Sequence, residues 1–129
     1  MPDRATTIYV CTRCNYTQSD AERTGARSGS HLYAEVERQF ATWPHRAAFA
    51  LTPVECMSNC KRACTVALAA PDKYTYMFGD LKPGAEAAAD VLTCAELYAT
   101  KPDGFMDRVE RPETLRSAIL ARIPPLKAG

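Results

Sequence analysis

The chain carries almost no net charge: 16 basic residues stand against 15 acidic ones in 129. That balance removes the electrostatic case for nucleic-acid or membrane binding, both of which need a basic field. Long apolar runs are missing too, and the longest fall far short of the ~20 residues needed to cross a bilayer. The opening stretch, MPDRATTIYVC, holds no apolar segment of signal-peptide type. A cytoplasmic, reducing location is therefore expected, and there close-set cysteines serve as ligands or redox groups rather than structural disulfides. Histidine is scarce, with two residues in the chain. His31 and His45 have no partner at ligand spacing and read as surface residues. No grouping of acid, base and nucleophile appears, so no substrate turnover is expected. There is no internal repeat and no low-complexity segment, and the length suits a single domain, residues 1–129.

Cysteine is the residue that stands out, with six in the chain. Four form two close pairs, Cys11-x2-Cys14 and Cys56-x3-Cys60. Cys64 repeats the second spacing, so residues 56–64 read CMSNCKRAC. Close thiol pairs at two distant points point to a metal or cluster site.

The surrounding pattern places these pairs. Thr6 to Val10 is a β-branched and aromatic run that predicts a strand ending at Cys11. Residues 15–30 are polar and read as a loop. Ser30 is a candidate N-cap for a helix over 31–43, in which Leu32, Val36, Phe40 and Trp43 make one apolar stripe that Pro44 ends. Ala47 to Val54 predicts a second strand, so the first three elements suggest a β-α-β crossover with parallel strands. Residues 65–70 and 74–78 predict a hairpin around Ala70-Pro71-Asp72-Lys73. Tyr74, Tyr76 and Phe78 alternate in its second strand. Without a basic field they read as core rather than a base-stacking platform, and Trp43 reads as a core anchor. Pro83 opens a helix to about 99, with Ala87, Val91, Cys94 and Tyr98 on one face. Cys94 therefore reads as core. Pro112 opens a last helix to about 123, with Leu115, Ala118, Ile119 and Ile123 inward, stopped by Pro124-Pro125. This order matches an α/β, thioredoxin-like layout: a mixed sheet flanked by helices, with an added C-terminal helix.

In that layout Cys11 and Cys14 follow the first strand, and Cys56 and Cys60 follow the second. Neighbouring strands lie ~5 Å apart, so both loops reach one edge of the sheet, where open α/β sheets hold ligands. Thiolates select zinc, copper(I) or iron–sulfur clusters. Zinc knuckles favour paired Cys-x2-Cys, whereas the second pair here is x3; the common four-iron and plant-type ferredoxin spacings are absent. A thiol–disulfide site at Cys11 and Cys14 competes, but Asn15 to Ser19 opens a polar loop rather than a helix, and Cys56 and Cys60 are left unexplained. Cys64 is a ligand, a thiol beside the site, or a core residue opening the next strand; core is the simplest reading. Arg13, Lys61 and Arg62 sit within the cysteine loops. Cations there would stabilise a net-negative cluster and raise its potential.

At these residues the chain resembles the thioredoxin-like [2Fe–2S] ferredoxins, which carry a cysteine pair after the first strand and a Cys-x3-Cys pair after the second. VECMSNCKRACTVAL looks like their second cluster loop. A closer resemblance is to a bacterial family of small proteins, DUF1636, described as predicted metal-binding. It is carried by CMSNCKRAC, YTYMFGDL, the DGFM segment and the closing ARIPP, over residues 8 to about 125. The resemblance implies a [2Fe–2S] cluster on Cys11, Cys14, Cys56 and Cys60, with zinc the alternative for a structural or interaction module or a metal carrier. It also implies reductase and acceptor proteins as redox partners, a homodimer, and a link to cobalamin metabolism. Two features depart from the broader pattern: the first pair is closer together, and Ala63-Cys64 replaces a common Gly-Pro.

Overall fold

A computed structural model describes residues 6–12, 28–55, 64–82, 84–116 and 118–125. Five strands form one sheet in the order β2-β1-β3-β4-β5. Strand β1 is Thr6–Cys11 and β2 is Phe49–Val54; they pair in parallel, with Cys11 beside Val54. Strands β3, Val66–Ala69, and β4, Thr75–Phe78, form the expected hairpin, and β3 runs antiparallel to β1. The connection between β1 and β2 holds helix α1, Ser28–Phe40. Helix α2, Ala85–Thr100, follows the hairpin. The two helices pack on each other and both touch β1, so they share one face of the sheet. A mixed sheet with flanking helices is thus the architecture anticipated from the sequence.

Alternation in β1 sends Ile8 and Val10 into the helix-side core with Leu32 and Val36 of α1. Leu68 and Tyr76 lie in the row of Ile8, and Val66 and Phe78 in the row of Val10. On α2, Ala87, Val91, Cys94 and Tyr98 are buried as their spacing predicts. The other face of the sheet carries two rows. In one, Ala50, Thr7 and Ala69 align, with Thr75 and Ile123 beyond. In the other run Thr52, Tyr9, Ala67, Met77 and Ala121.

Several boundaries move. Ser30 lies inside α1 rather than capping it, because the helix begins two residues earlier. The helix stops at Phe40; Trp43 N–H then bonds Phe40 O at 3.0 Å in a tightened last turn ahead of Pro44. The Trp43 ring still packs on Phe40 and Phe49, with centroids 5.8 and 4.6 Å away. Arg46–Ala48 is a short 3-10 turn, so β2 starts at Phe49 rather than Ala47. Pro53 sits within β2 at the edge of the sheet, a place where a missing N–H is tolerated.

The expected C-terminal helix over 112–123 is the main correction. Helix α3 covers only Glu113–Arg116, and Ile119–Ile123 forms β5, antiparallel to β4 at the other edge. Leu115, Ala118 and Ile119 satisfy helical spacing, but two forces favour the strand. Pro124 drives the residue before it out of the helical region. The outer side of β4 also needs a hydrogen-bonding partner. The new strand brings the Arg122 guanidinium over the Phe105 ring, 4.5 Å from its centroid.

The DGFM segment braces the same end of the sheet. Gly104 has φ +78°, and a Cβ there would come within 2.6 Å of Tyr98 Cε1, so only glycine lets the chain cross that ring. Around it, Asp103 O accepts from Tyr74 N–H at 2.8 Å, and Tyr76 Oη accepts from Met106 N–H at 2.8 Å. Tyr98 O–H donates to Tyr74 O.

Candidate metal centre

One pole of the sheet gathers three strand ends. Cys11 N–H donates to Thr65 O at 3.0 Å, and Thr12 N–H donates to Val54 O at 2.8 Å. The end of β1 is thereby fastened to the residue entering β3 on one side and to the last residue of β2 on the other. Thr12 Oγ1 adds a bond to Val54 O at 3.4 Å. From helix α1, Ser30 Oγ donates to Thr12 O at 3.1 Å and ties the helix start to the same corner. Neither Thr12 nor this role of Ser30 was visible in the sequence, since a serine before an apolar stripe reads as a cap.

Cys11 is 2% exposed, and its Sγ lies 3.8 Å from Glu55 O. That carbonyl belongs to the peptide joining Glu55 to Cys56. The thiol of the first cysteine pair therefore sits against the backbone that begins the second, 44 positions on. Cys14, Cys56 and Cys60 lie outside the described residues, as do Arg13, Lys61 and Arg62. Among the described residues alone, no group of three or more cysteine, histidine or acidic side chains could hold a metal.

Cys64 takes a different position. Its N–H donates to Leu81 O at 3.1 Å, and Leu81 N–H donates to Cys64 O at 3.3 Å. Two residues before Val66, it shares that residue's side of the sheet, and it belongs with Leu81 to the helix-side core at 0% exposure. Cys11 is paired one position further along, opposite Thr65, and stands outside that core cluster. The two sulfurs are thus sent to opposite faces.

The remaining candidates fall where the sequence put them. Cys94 lies on the buried face of α2 with its Sγ 3.7 Å from Met106 Sδ, and burial pushes its thiol up to about 12. Such a thiol is inert rather than nucleophilic. His31 is exposed near the start of α1. His45 Nε2 lies 3.1 Å from Glu96 Oε1 at the surface, edge-on to Trp43.

The family model for DUF1636, described as a protein of unknown function, matches residues 8–125. The chain belongs to that family. No curated protein matches it. Among solved structures, a thioredoxin-like [2Fe–2S] ferredoxin from Aquifex aeolicus aligns at a TM-score of 0.56 and 15% identity, covering 94% of each chain. Two variants of that ferredoxin, each with one cysteine changed to serine, align at a TM-score of 0.54 and 18% identity, covering 90% of this chain and 98% of theirs. At this identity the likeness shows a shared thioredoxin-like fold. No helix among the described residues is long and apolar enough to cross a membrane.

Proposed function

We propose that this DUF1636 protein is a small electron carrier that holds a [2Fe–2S] cluster through Cys11, Cys14, Cys56 and Cys60. The observation that carries the reading is the 3.8 Å approach of Cys11 Sγ to the peptide that leads into Cys56. An all-thiolate donor set at a strand-end pole suits an iron–sulfur centre, and the solved structures of like fold are named as [2Fe–2S] ferredoxins. When bound, such a cluster takes up and releases one electron.

The chain's own contribution is placement. Backbone bonds from Cys11 to Thr65 and from Thr12 to Val54 hold the end of β1 on both sides, so the backbone that carries the first ligand is placed before any iron arrives. Arg13, Lys61 and Arg62, close in sequence to the other cysteines, would supply positive charge that favours the reduced state. Partners would be a reductase and an acceptor enzyme. Cys64 serves the core and not the cluster.

Anaerobic purification followed by iron, sulfide and zinc analysis tests the reading. The expected result is about two irons and two sulfides per chain, a red-brown colour, and a paramagnetic resonance signal on reduction. A colourless protein with one zinc and no sulfide would overturn it in favour of a zinc-stabilised module.

A further inference from the structure

Thr12 and Arg13 separate Cys11 from Cys14 in the chain. The first of them makes more bonds than a spacer needs. Thr12 N–H donates to Val54 O at 2.8 Å, and Thr12 Oγ1 lies 3.4 Å from the same oxygen. The Thr12 carbonyl accepts from Ser30 Oγ at 3.1 Å. Three elements thus meet on one residue that is not itself a ligand: the end of β1, the last residue of β2 and the first turn of α1. Val54 stands two positions before Cys56, and Thr12 two before Cys14.

We propose that Thr12 and Ser30 are positioning residues for the metal centre: the Ser30 hydroxyl holds the Thr12 carbonyl, and so sets how the first cysteine pair closes on the cluster. The inference rests on the electron-carrier reading and adds to it a side chain from helix α1.

The use made of Ser30 is what points this way. A serine in the first turn of a helix ordinarily bonds backbone of its own turn, or water. Ser30 is exposed, with water at hand. Its hydroxyl nevertheless crosses to a strand end 18 positions away. The effect on the backbone follows from peptide planarity. The bond to Val54 fixes the peptide plane that arrives from Cys11. The bond from Ser30 fixes the plane that leaves toward Cys14. Together they hold both backbone torsions of Thr12, between the two ligands of the first pair. A ligand loop held in this way gives up metal more slowly, because a sulfur must swing aside before iron can leave. The peptide dipoles near the cluster also keep one orientation, and such dipoles help to set a reduction potential.

Ser30 is the half of this clasp that a side-chain substitution removes cleanly. Ser30→Ala deletes the donor, and alanine is the better helix former at an exposed helical position. Far-ultraviolet circular dichroism and the thermal melt should therefore match or exceed those of the wild type. Ser30→Thr restores a hydroxyl. The three proteins are purified anaerobically with their cluster and mixed with the ferrous chelator bathophenanthroline disulfonate, release being measured per iron bound. A redox titration gives the midpoint of each. Ser30→Ala should release iron about 5-fold faster than the wild type, the rate equivalent of one ordinary hydrogen bond, and its midpoint should move. Ser30→Thr should return both to the wild-type values. Equal release rates, an unmoved midpoint, or a threonine variant that behaves like the alanine one overturns the proposal. So does a Ser30→Ala protein that fails to fold, because the bond would then hold the whole chain rather than the pole. A wild-type protein without iron or sulfide overturns the electron-carrier reading itself. A cluster-bearing wild type with an indifferent Ser30→Ala variant overturns the clasp alone.

Discussion

Replacing Cys64 by alanine separates a core thiol from a cluster ligand. The side chain is fully buried beside Leu81 on the helix side of the sheet, while Cys11 points to the opposite side. Truncation removes one sulfur from packed surroundings, a loss comparable to one or two methylenes. Transfer and cavity terms together give about 1–2 kcal/mol of destabilisation. For a chain of this size that lowers the thermal midpoint by roughly 3–8 °C. Iron, sulfide and the visible spectrum per folded chain should equal those of the wild type. Cys11→Ser is the contrasting variant and should lose the centre. The assay is metal and sulfide content on the folded, monodisperse fraction, set beside a thermal melt. A Cys64→Ala protein that folds normally but has lost its iron would show that the sulfur reaches the cluster, and the face assignment would fall.

Gly104→Ala should destabilise by about 2–4 kcal/mol, since a Cβ would meet the Tyr98 ring while the backbone stays left-handed; an unchanged denaturant midpoint would refute the crossing described for this loop. Tyr98 is held protonated up to about 12, chiefly by burial, with Tyr76 adding to the effect. The unfolded chain releases that proton near pH 10, so stability is full below about pH 10 and declines as pH rises toward 12, by up to ~1.4 kcal/mol per unit. Urea titrations at stepped alkaline pH should show that decline in the wild type and a shallower one in Tyr98→Phe. Chelation of the metal should leave far-ultraviolet circular dichroism largely intact, because the pole is fastened by backbone bonds of β1 to Thr65 and Val54; cooperative unfolding on chelation would show instead that the metal holds the fold.

Most of the fold could be read from residue patterns because periodicity and punctuation agreed. Ile8 and Val10 alternate, Leu32 and Val36 repeat at helical spacing, and Pro71-Asp72 marks a turn, so β1, α1 and the hairpin were legible. Ile119 to Ile123 was not, because its apolar positions fit a helix as well as an edge strand. The choice was made by Pro124 and by the open side of β4, and the second of these is tertiary information. At the candidate metal centre, spacing singled out the two cysteine pairs but could not say which side of the sheet Cys64 occupies. That depends on its pairing with Leu81, seventeen positions away. The bond from Ser30 to Thr12 was equally hidden, since a serine side chain has several uses and only the packed helix selects one.

The proline in β2 has a consequence for how copies of this chain can associate by their rims. An open-ended ribbon of molecules requires two adhesive sides, so that each new unit can dock on the last. Pro53 removes a donor along the β2 rim. Strand-to-strand joining along the β2 rim therefore lacks one ladder bond at Pro53, which disfavours the head-to-tail docking that would build a fibre.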